Sequence, residues 1–208
     1  MEHLYDEDVT RYSDSFIRVV IDHEYVIRIK SFVTKLIEAK SKESHHKIDS
    51  HQEEKRFTTG FLGEAALEKL LGIPIINWRI GNSNFYNNPD IPGYEVGIKT
   101  VERNKYPIIF KNNGYPQIIC IKSIQCDDLV FVCGLATKEV LNEYQDDNLI
   151  LDENLRKRGT KTGFYGFSHL LPVRSLDDLS KYKNQRDEKL NETGRTISTT
   201  RGAEPRGL

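Results

Sequence analysis

The sequence predicts an α/β (α+β) domain in which helices flank a central mixed β-sheet. Two segments with helical apolar spacing come first, a row of short apolar segments with strand spacing follows, and a short helix precedes a last strand. The 208 residues suit one such domain with terminal arms. We therefore expect a single domain at residues 16–180, an N-terminal arm at 1–15 and a flexible tail at 181–208.

The first half of the chain predicts mainly helices. In chain order we expect a strand at 16–21, a helix at 22–40, a polar loop at 41–54, a helix at 59–71 and a connection or strand at 73–78. Asp22 is placed as the N-cap of the first helix, and Gly72 closes the second. His45 and His46 fall in the polar loop, where a solvated pair is favoured over a metal site.

The second half predicts the sheet. Residues 81–92 are rich in turn formers. After them we expect strands at 94–101, 106–110, 117–121 and 129–135, a helix at 138–144 and a last strand with its exit at 163–173. From Tyr182 onward the sequence is polar with few apolar residues, which predicts the flexible tail.

Composition limits the partners. The formal net charge is −1, so any nucleic acid must be held by a local basic patch rather than by the field of the whole protein. The three cysteines, Cys120, Cys126 and Cys133, match no zinc spacing and favour reduced thiols in a cytoplasmic protein. The first residues do not resemble a signal peptide, and no apolar run approaches about 18 residues, so we expect no membrane partner.

Three residues form a pattern that suits phosphodiester chemistry. Glu64 lies early in a predicted helix, Asp90 precedes a predicted strand, and Lys99 lies inside that strand. A hard divalent cation needs oxygen ligands, and one or two carboxylates with waters suffice. We expect Asp90, Glu64 and the backbone carbonyl of Ile98 to bind Mg²⁺ or Mn²⁺, and Lys99 to orient the attacking water.

The order of these pieces resembles the PD-(D/E)xK nuclease superfamily. The motif GFLGE at residues 60–64 is followed by PDIPGYEVGIKT at 89–100, which contains the proline–aspartate pair and the strand lysine. The likeness extends over about residues 16–180 and includes small phage and bacterial nuclease-like proteins of unassigned role. It implies a restriction-endonuclease-like core, DNA as substrate and a prokaryotic or phage-infected cell. Because many such nucleases cut as dimers, a homodimer is compatible with it.

One position departs from that family pattern. Two residues before the lysine the family has an acidic residue or glutamine, whereas this chain has Gly97. On a regular strand Glu95 shares the face of Lys99, but the two α-carbons would lie about 13 Å apart, so Glu95 is a more distant metal-ligand candidate. The open space at Gly97 would allow Glu64 to supply the carboxylate instead.

Structural roles compete with each catalytic assignment. Glu64 alone suits the positive end of a helix, and Asp90 alone suits a turn. Lys99 would be ordinary on a solvated edge strand, and Glu95 favours an ion pair or a solvated position. The combination and order of Glu64, Asp90 and Lys99 favour function.

Basic residues that could contact DNA phosphates occur in two groups. The first follows the predicted strand and the second precedes the last strand: Arg103, Lys105, Arg156, Lys157, Arg158 and Lys161. Solubility alone is an equal explanation for basic loops. Tyr165, Phe167 and Trp78 are expected in the core rather than as base-stacking platforms.

Three functions follow from the sequence. The first is a metal-dependent DNA endonuclease. The second is a catalytically decayed nuclease fold that acts as a DNA-binding or protein-interaction module, with Gly97 marking the decay. The third is an accessory protein that binds another protein and shows no salt-sensitive retention on DNA. The chain has no GxGxxG or GxxxxGK[ST] fingerprint of a nucleotide-binding protein.

Overall fold

The structure, a computed structural model, describes residues 2–41, 50–80 and 89–200. The helices are α1 Glu2–Asp8, α2 His23–Ser41, α3 Ser50–Leu71, α4 Lys138–Glu143, α5 Glu153–Lys157 and α6 Leu176–Thr200. The strands are β1 Ile17–Val20, β2 Gly97–Glu102, β3 Ile108–Phe110, β4 Gln117–Lys122, β5 Leu129–Ala136, β6 Gln145–Asp146 and β7 Lys161–Phe164. His45, His46 and most of the turn-rich segment lie outside the described residues.

The strands form two sheets. The large sheet has the order β1-β5-β4-β2, with β2 parallel to β4 and the other pairs antiparallel. The small sheet is antiparallel, with the order β3-β7-β6. A mixed sheet flanked by helices confirms the predicted α/β class. Strand β2, which carries Lys99, lies at one edge of the large sheet.

The large sheet buries both of its faces. Alternate residues of β4 point to opposite sides, as strand geometry requires. Ile118 and Cys120 join a core formed with α2 and α3, whereas Ile119 and Ile121 join a second core formed with α1 and the small sheet. This two-sided burial explains why β4 reads as a continuous apolar run rather than as an alternating one.

Helix α3 lies unusually close to β2. A methyl group at Gly63 would overlap the side chain of Thr100, so only glycine permits this approach. The hydroxyl of Thr100 is buried there and finds no hydrogen-bond partner among the described residues. The close contact brings the next residue of the helix, Glu64, to the sheet edge.

The helical segments differ from the sequence prediction at two places. Helix α3 begins at Ser50, so the polar loop predicted at 41–54 is already helical in its last residues. Residues 176–200 form helix α6 where a flexible tail was predicted from 181. Leu179 is buried and Tyr182 packs against the first core, so a few apolar contacts anchor this polar helix.

Some strands begin or end at residues other than those predicted from the sequence. Strand β2 starts at Gly97 rather than at Tyr94, and β7 spans Lys161–Phe164 rather than 163–173. Residues 74–80 form no strand. In the predicted N-terminal arm, Tyr5 and Val9 are buried in the second core. None of the helices in the described ranges is long and apolar enough to cross a membrane.

Candidate active site

A tight turn places Asp90 at the entrance of β2. Ile91 and Val96 form an antiparallel bridge in which the Ile91 amide donates to the Val96 carbonyl at 2.9 Å. Gly93 and Glu95 take positive φ angles of 86° and 57° to close the turn. Beyond it, the Ile98 amide donates to Oδ2 of Asp90 at 2.6 Å. The carboxylate is therefore fixed relative to the strand that carries Lys99.

The same turn displaces Glu95 from the position predicted for it. Glu95 precedes the first residue of β2, is exposed and has a left-handed backbone conformation. It therefore does not share a strand face with Lys99, and the structure does not bring it into the site. Helix α6 supports this turn, because Nζ of Lys183 donates to the Gly93 carbonyl at 2.7 Å.

Glu64 reaches the site from α3. Burial, together with the negative charges of Asp90 and Glu68, raises the pKa of its carboxyl to about 8. Glu68 itself is committed elsewhere, since it accepts hydrogen bonds from the Ile75 and Ile76 amides at 2.6 and 2.8 Å. Within the part of the chain that the structure describes, Glu64 has no hydrogen bond or ion pair.

Asp90 and Lys99 form the second half of the site. Part of Asp90 remains exposed, yet the surrounding protein raises its pKa, and the Ile98 hydrogen bond and the Lys99 charge offset this only partly. Burial, together with the charges of Lys161 and Arg56 and against the opposing charge of Asp90, lowers the pKa of Lys99 to about 8. Asp90 thus lies close enough to affect the ionisation of both Glu64 and Lys99.

The space beside Gly97 is occupied by an aromatic ring. A Cβ atom at Gly97 would lie 2.6 Å from Cε2 of Tyr115 and 3.5 Å from Oδ2 of Asp90. Sequence reasoning expected Glu64 to use this space, and that prediction was wrong, since Tyr115 fills it. The negative charge of Asp90 adds to burial in raising the pKa of the Tyr115 hydroxyl.

The donor set is small for a metal ion. Among the described residues, no cluster of three or more histidine, cysteine, aspartate or glutamate side chains could hold one. Asp90 and Glu64 supply two carboxylates. Because the N–H and C=O of a strand residue point to the same side, the Ile98 carbonyl faces the same open edge as its amide. Two carboxylates and a carbonyl, completed by waters, fit a hard cation such as Mg²⁺.

Four cations surround the lysine end of the site. Lys161 on β7 lowers the pKa of Lys99, and its own pKa is lowered by burial and by the charges of Arg56 and Arg158. We call Arg56, Lys99, Arg158 and Lys161 the cationic cluster. Sequence reasoning missed Arg56, because it lies between the predicted loop at 41–54 and the predicted helix at 59–71, in a stretch that is already part of α3.

The other predicted basic residues lie elsewhere or are paired. Lys105 forms an ion pair with Glu102 at 2.9 Å, and Lys157 pairs with Glu153 at 3.6 Å. Arg156 acts on the ionisation of Asp147 rather than on that of Lys99. Arg103 is exposed in the turn after β2. Of the six predicted DNA contacts, the structure brings Arg158 and Lys161 to the site.

These features together place opposite charges at one sheet edge. The carboxylates of Glu64 and Asp90 lie at one end, and the cationic cluster, whose Lys99 interacts with Asp90, lies at the other. The likeness to PD-(D/E)xK nucleases rests on the order of the sequence motifs. Comparison of the chain with protein families, with curated proteins and with solved structures gives no significant match.

Proposed function

We propose that this protein is a divalent-metal-dependent phosphodiesterase that cleaves DNA, with Asp90, Glu64 and Lys99 as its catalytic residues. The observation that carries the proposal is the Glu64–Asp90 pair. Burial raises the pKa of both carboxyl groups, and the charge of Asp90 adds to the shift of Glu64, so keeping both groups charged is costly unless a cation binds beside them. Their raised pKa values at a sheet edge are typical of a functional site.

Each residue then has a distinct role. Asp90 and Glu64, with the Ile98 carbonyl, would hold Mg²⁺ or Mn²⁺, which when bound supplies an activated water and polarises the phosphoryl oxygen. Lys99 orients the attacking water and offsets the negative charge that develops on the phosphate. Lys161 and Arg158 bind the neighbouring phosphates. The lowered pKa of Lys99 suits a proton transfer near neutral pH.

A second candidate is a DNA-binding module that does not cut. Gly97 supports it, because the ring of Tyr115 fills the place of a third carboxylate. The cationic cluster would still bind phosphates in such a module. The two candidates share a binding surface and differ in whether a metal ion produces cleavage.

Cleavage of supercoiled plasmid tests the proposal. The wild-type protein is compared with Asp90→Asn and Lys99→Met in Mg²⁺, Mn²⁺ and EDTA. Asparagine keeps an oxygen that can accept from the Ile98 amide, so the turn is retained while the charge is lost. Asp127→Asn is the matched control, because Asp127 pairs with Lys30 and Lys122 at the other end of β4.

The outcomes separate the candidates. Metal-dependent nicking that is lost in Asp90→Asn and Lys99→Met and retained in Asp127→Asn supports the nuclease. A folded wild-type protein that never nicks but is retained on DNA at low salt supports the binding module. Absence of both nicking and salt-sensitive retention overturns both candidates.

A further inference from the structure

An exposed aromatic ring lies beside the cationic cluster. Phe110, at the end of β3, is 56% exposed, and of the phenylalanine, tyrosine and tryptophan side chains in the described ranges it is the only exposed one. The core does not need it, because the neighbouring Ile109 already fills the second core. The exposed face of this phenylalanine, next to the candidate site, is therefore open to contact with a bound ligand.

The strand register links Phe110 to the site. Phe110 pairs with Lys161 across β3 and β7, and Nζ of Lys161 lies 5.0 Å from the centre of the Phe110 ring. Lys161 is the cation that most strongly affects the ionisation of Lys99. Lys161 therefore contacts the Phe110 ring and also acts electrostatically on Lys99.

The backbone that carries the ring is also held in place. Nδ2 of the buried Asn113 donates to the Phe110 carbonyl at 2.6 Å. Oδ1 of Asn113 accepts from Gln117 at 3.3 Å, and Gln117 pairs with Gly97 at the entrance of β2. The backbone that presents Phe110 is thus tied by hydrogen bonds to the strand that carries Lys99.

We propose that Phe110 is a stacking platform for an unpaired nucleobase, so that the site takes single-stranded or locally unpaired DNA in preference to duplex DNA. The inference rests on the proposed function for the chemistry at Lys99. Its own basis is the pairing of an exposed ring with a phosphate-binding cation, the two elements that recognise single-stranded nucleic acid. In a duplex the faces of the bases are stacked on their neighbours and are closed to such a ring.

Binding in EDTA tests the inference without cleavage. A fluorescein-labelled oligonucleotide of mixed sequence is used single-stranded and annealed to its complement, and its anisotropy is measured against protein concentration. Phe110→Ala removes the ring, Phe110→Leu keeps an apolar side chain, and Phe110→Trp keeps an aromatic one. Ile124→Ala is the matched control, because Ile124 is also 56% exposed and lies in the turn after β4.

The single strand is expected to bind more tightly than the duplex. Phe110→Ala should weaken single-strand binding about tenfold, within the range for loss of one base–aromatic stack. Phe110→Leu should recover little of that loss, Phe110→Trp should recover most of it, and Ile124→Ala should match the wild type. Duplex binding should be nearly equal in all five proteins.

Three results overturn the inference: single strand bound no more tightly than duplex, Phe110→Ala equal to wild type on single strand, or no binding of either probe. Its failure is distinct from that of the nuclease proposal. If the protein nicks plasmid but binds single strands equally well without the Phe110 ring, the stacking proposal alone is wrong. If single-strand binding depends on Phe110 but no metal produces nicking, the nuclease proposal is wrong and the stacking proposal stands.

Discussion

The ring of Tyr115 lies against the α-carbon of Gly97, at the place where a side chain on β2 would project. The same place is bordered by Oδ2 of Asp90, 3.5 Å from a Cβ built at Gly97. The glycine in β2 and the tyrosine in the turn before β4 are therefore complementary in shape. Together they leave no room for a side chain at this position of β2, beside Asp90.

We predict that Gly97→Ala destabilises the protein by about 1–3 kcal/mol, the usual cost of overpacking. The cost should fall markedly in a Tyr115→Ala background, because the added methyl group then has room. Urea unfolding of the four proteins of this double-mutant cycle measures the coupling.

Gly60→Ala is the control for that cycle. Gly60 is in α3, and a methyl group there meets nothing within 4 Å. The Gly60→Ala substitution should stabilise the helix by about 0.5–1 kcal/mol. Equal costs for Gly97→Ala in both backgrounds would show that Tyr115 does not restrict the site.

Glu64→Gln should change how stability depends on pH. The folded protein raises the pKa of Glu64 from 4.5 to about 8, so folding favours the neutral carboxyl. The wild type therefore loses stability as pH rises from 4.5 towards 8, and this loss persists above 8. Glutamine carries no such charge. Thermal unfolding should show equal stability near pH 4.5 and a more stable variant above pH 8.

Mg²⁺ provides the complementary measurement for Glu64. It should stabilise the wild type most above pH 8, where the carboxylate is charged, and should stabilise Glu64→Gln far less. Glu153→Gln, at an exposed ion pair on α5, is expected to behave as the wild type. A Glu64→Gln protein whose pH profile matches that of the wild type would contradict the assignment.

Lys99→Met should abolish cleavage and stabilise the fold. The folded protein lowers the pKa of Lys99 from 10.5 to about 8, so the ammonium form is disfavoured. This penalty is fully present below pH 8 and disappears as pH rises from 8 to 10.5. We expect a gain of about 1–3 kcal/mol at neutral pH, measured by urea unfolding. A less stable variant would instead indicate a structural ion pair with Asp90.

Thr100→Val should stabilise the protein by about 1–2 kcal/mol, because the buried Thr100 hydroxyl finds no partner in the part of the chain that the structure describes and valine has the same shape. Thr162→Val is the opposite control. Thr162 is also buried, but it donates to Asp147 and lowers the pKa of that carboxyl, so its loss should destabilise. Urea unfolding of both variants measures the two changes in the free energy of unfolding. If Thr100→Val destabilised the protein, the Thr100 hydroxyl would have a hydrogen-bond partner in solution.

The sequence predicted the parts of the site that are local. Asp90 and Lys99 are joined by one turn and one strand, so their separation follows from spacing alone. Glu64 was predicted because the GFLGE motif precedes the Asp90 and Lys99 motifs in the order that the family resemblance implies. Arg56, Tyr115 and Phe110 were missed because packing across separate elements brings them to the site, and no sequence spacing records such contacts.

The predicted bounds of α3 and α6 were wrong for a related reason. Residues 50–58 and 181–200 are polar, and their few apolar residues do not form a periodic stripe. Phe57, Leu179 and Tyr182 anchor these segments to the first core. A helix held by so few contacts has the composition of a loop.

The contact between Asp90 and the Ile98 amide also affects how copies of the chain meet. In the described ranges no strand pairs with β2 on the side opposite β4, and an open strand edge is a template for adding a strand from another molecule. The Asp90 carboxylate occupies one donor of that edge. Removal of the whole acceptor, as in Asp90→Ala, would expose this donor, and we expect it to favour self-association through β2, so that the Asp90 carboxylate acts as a guard of the strand edge as well as a candidate metal ligand.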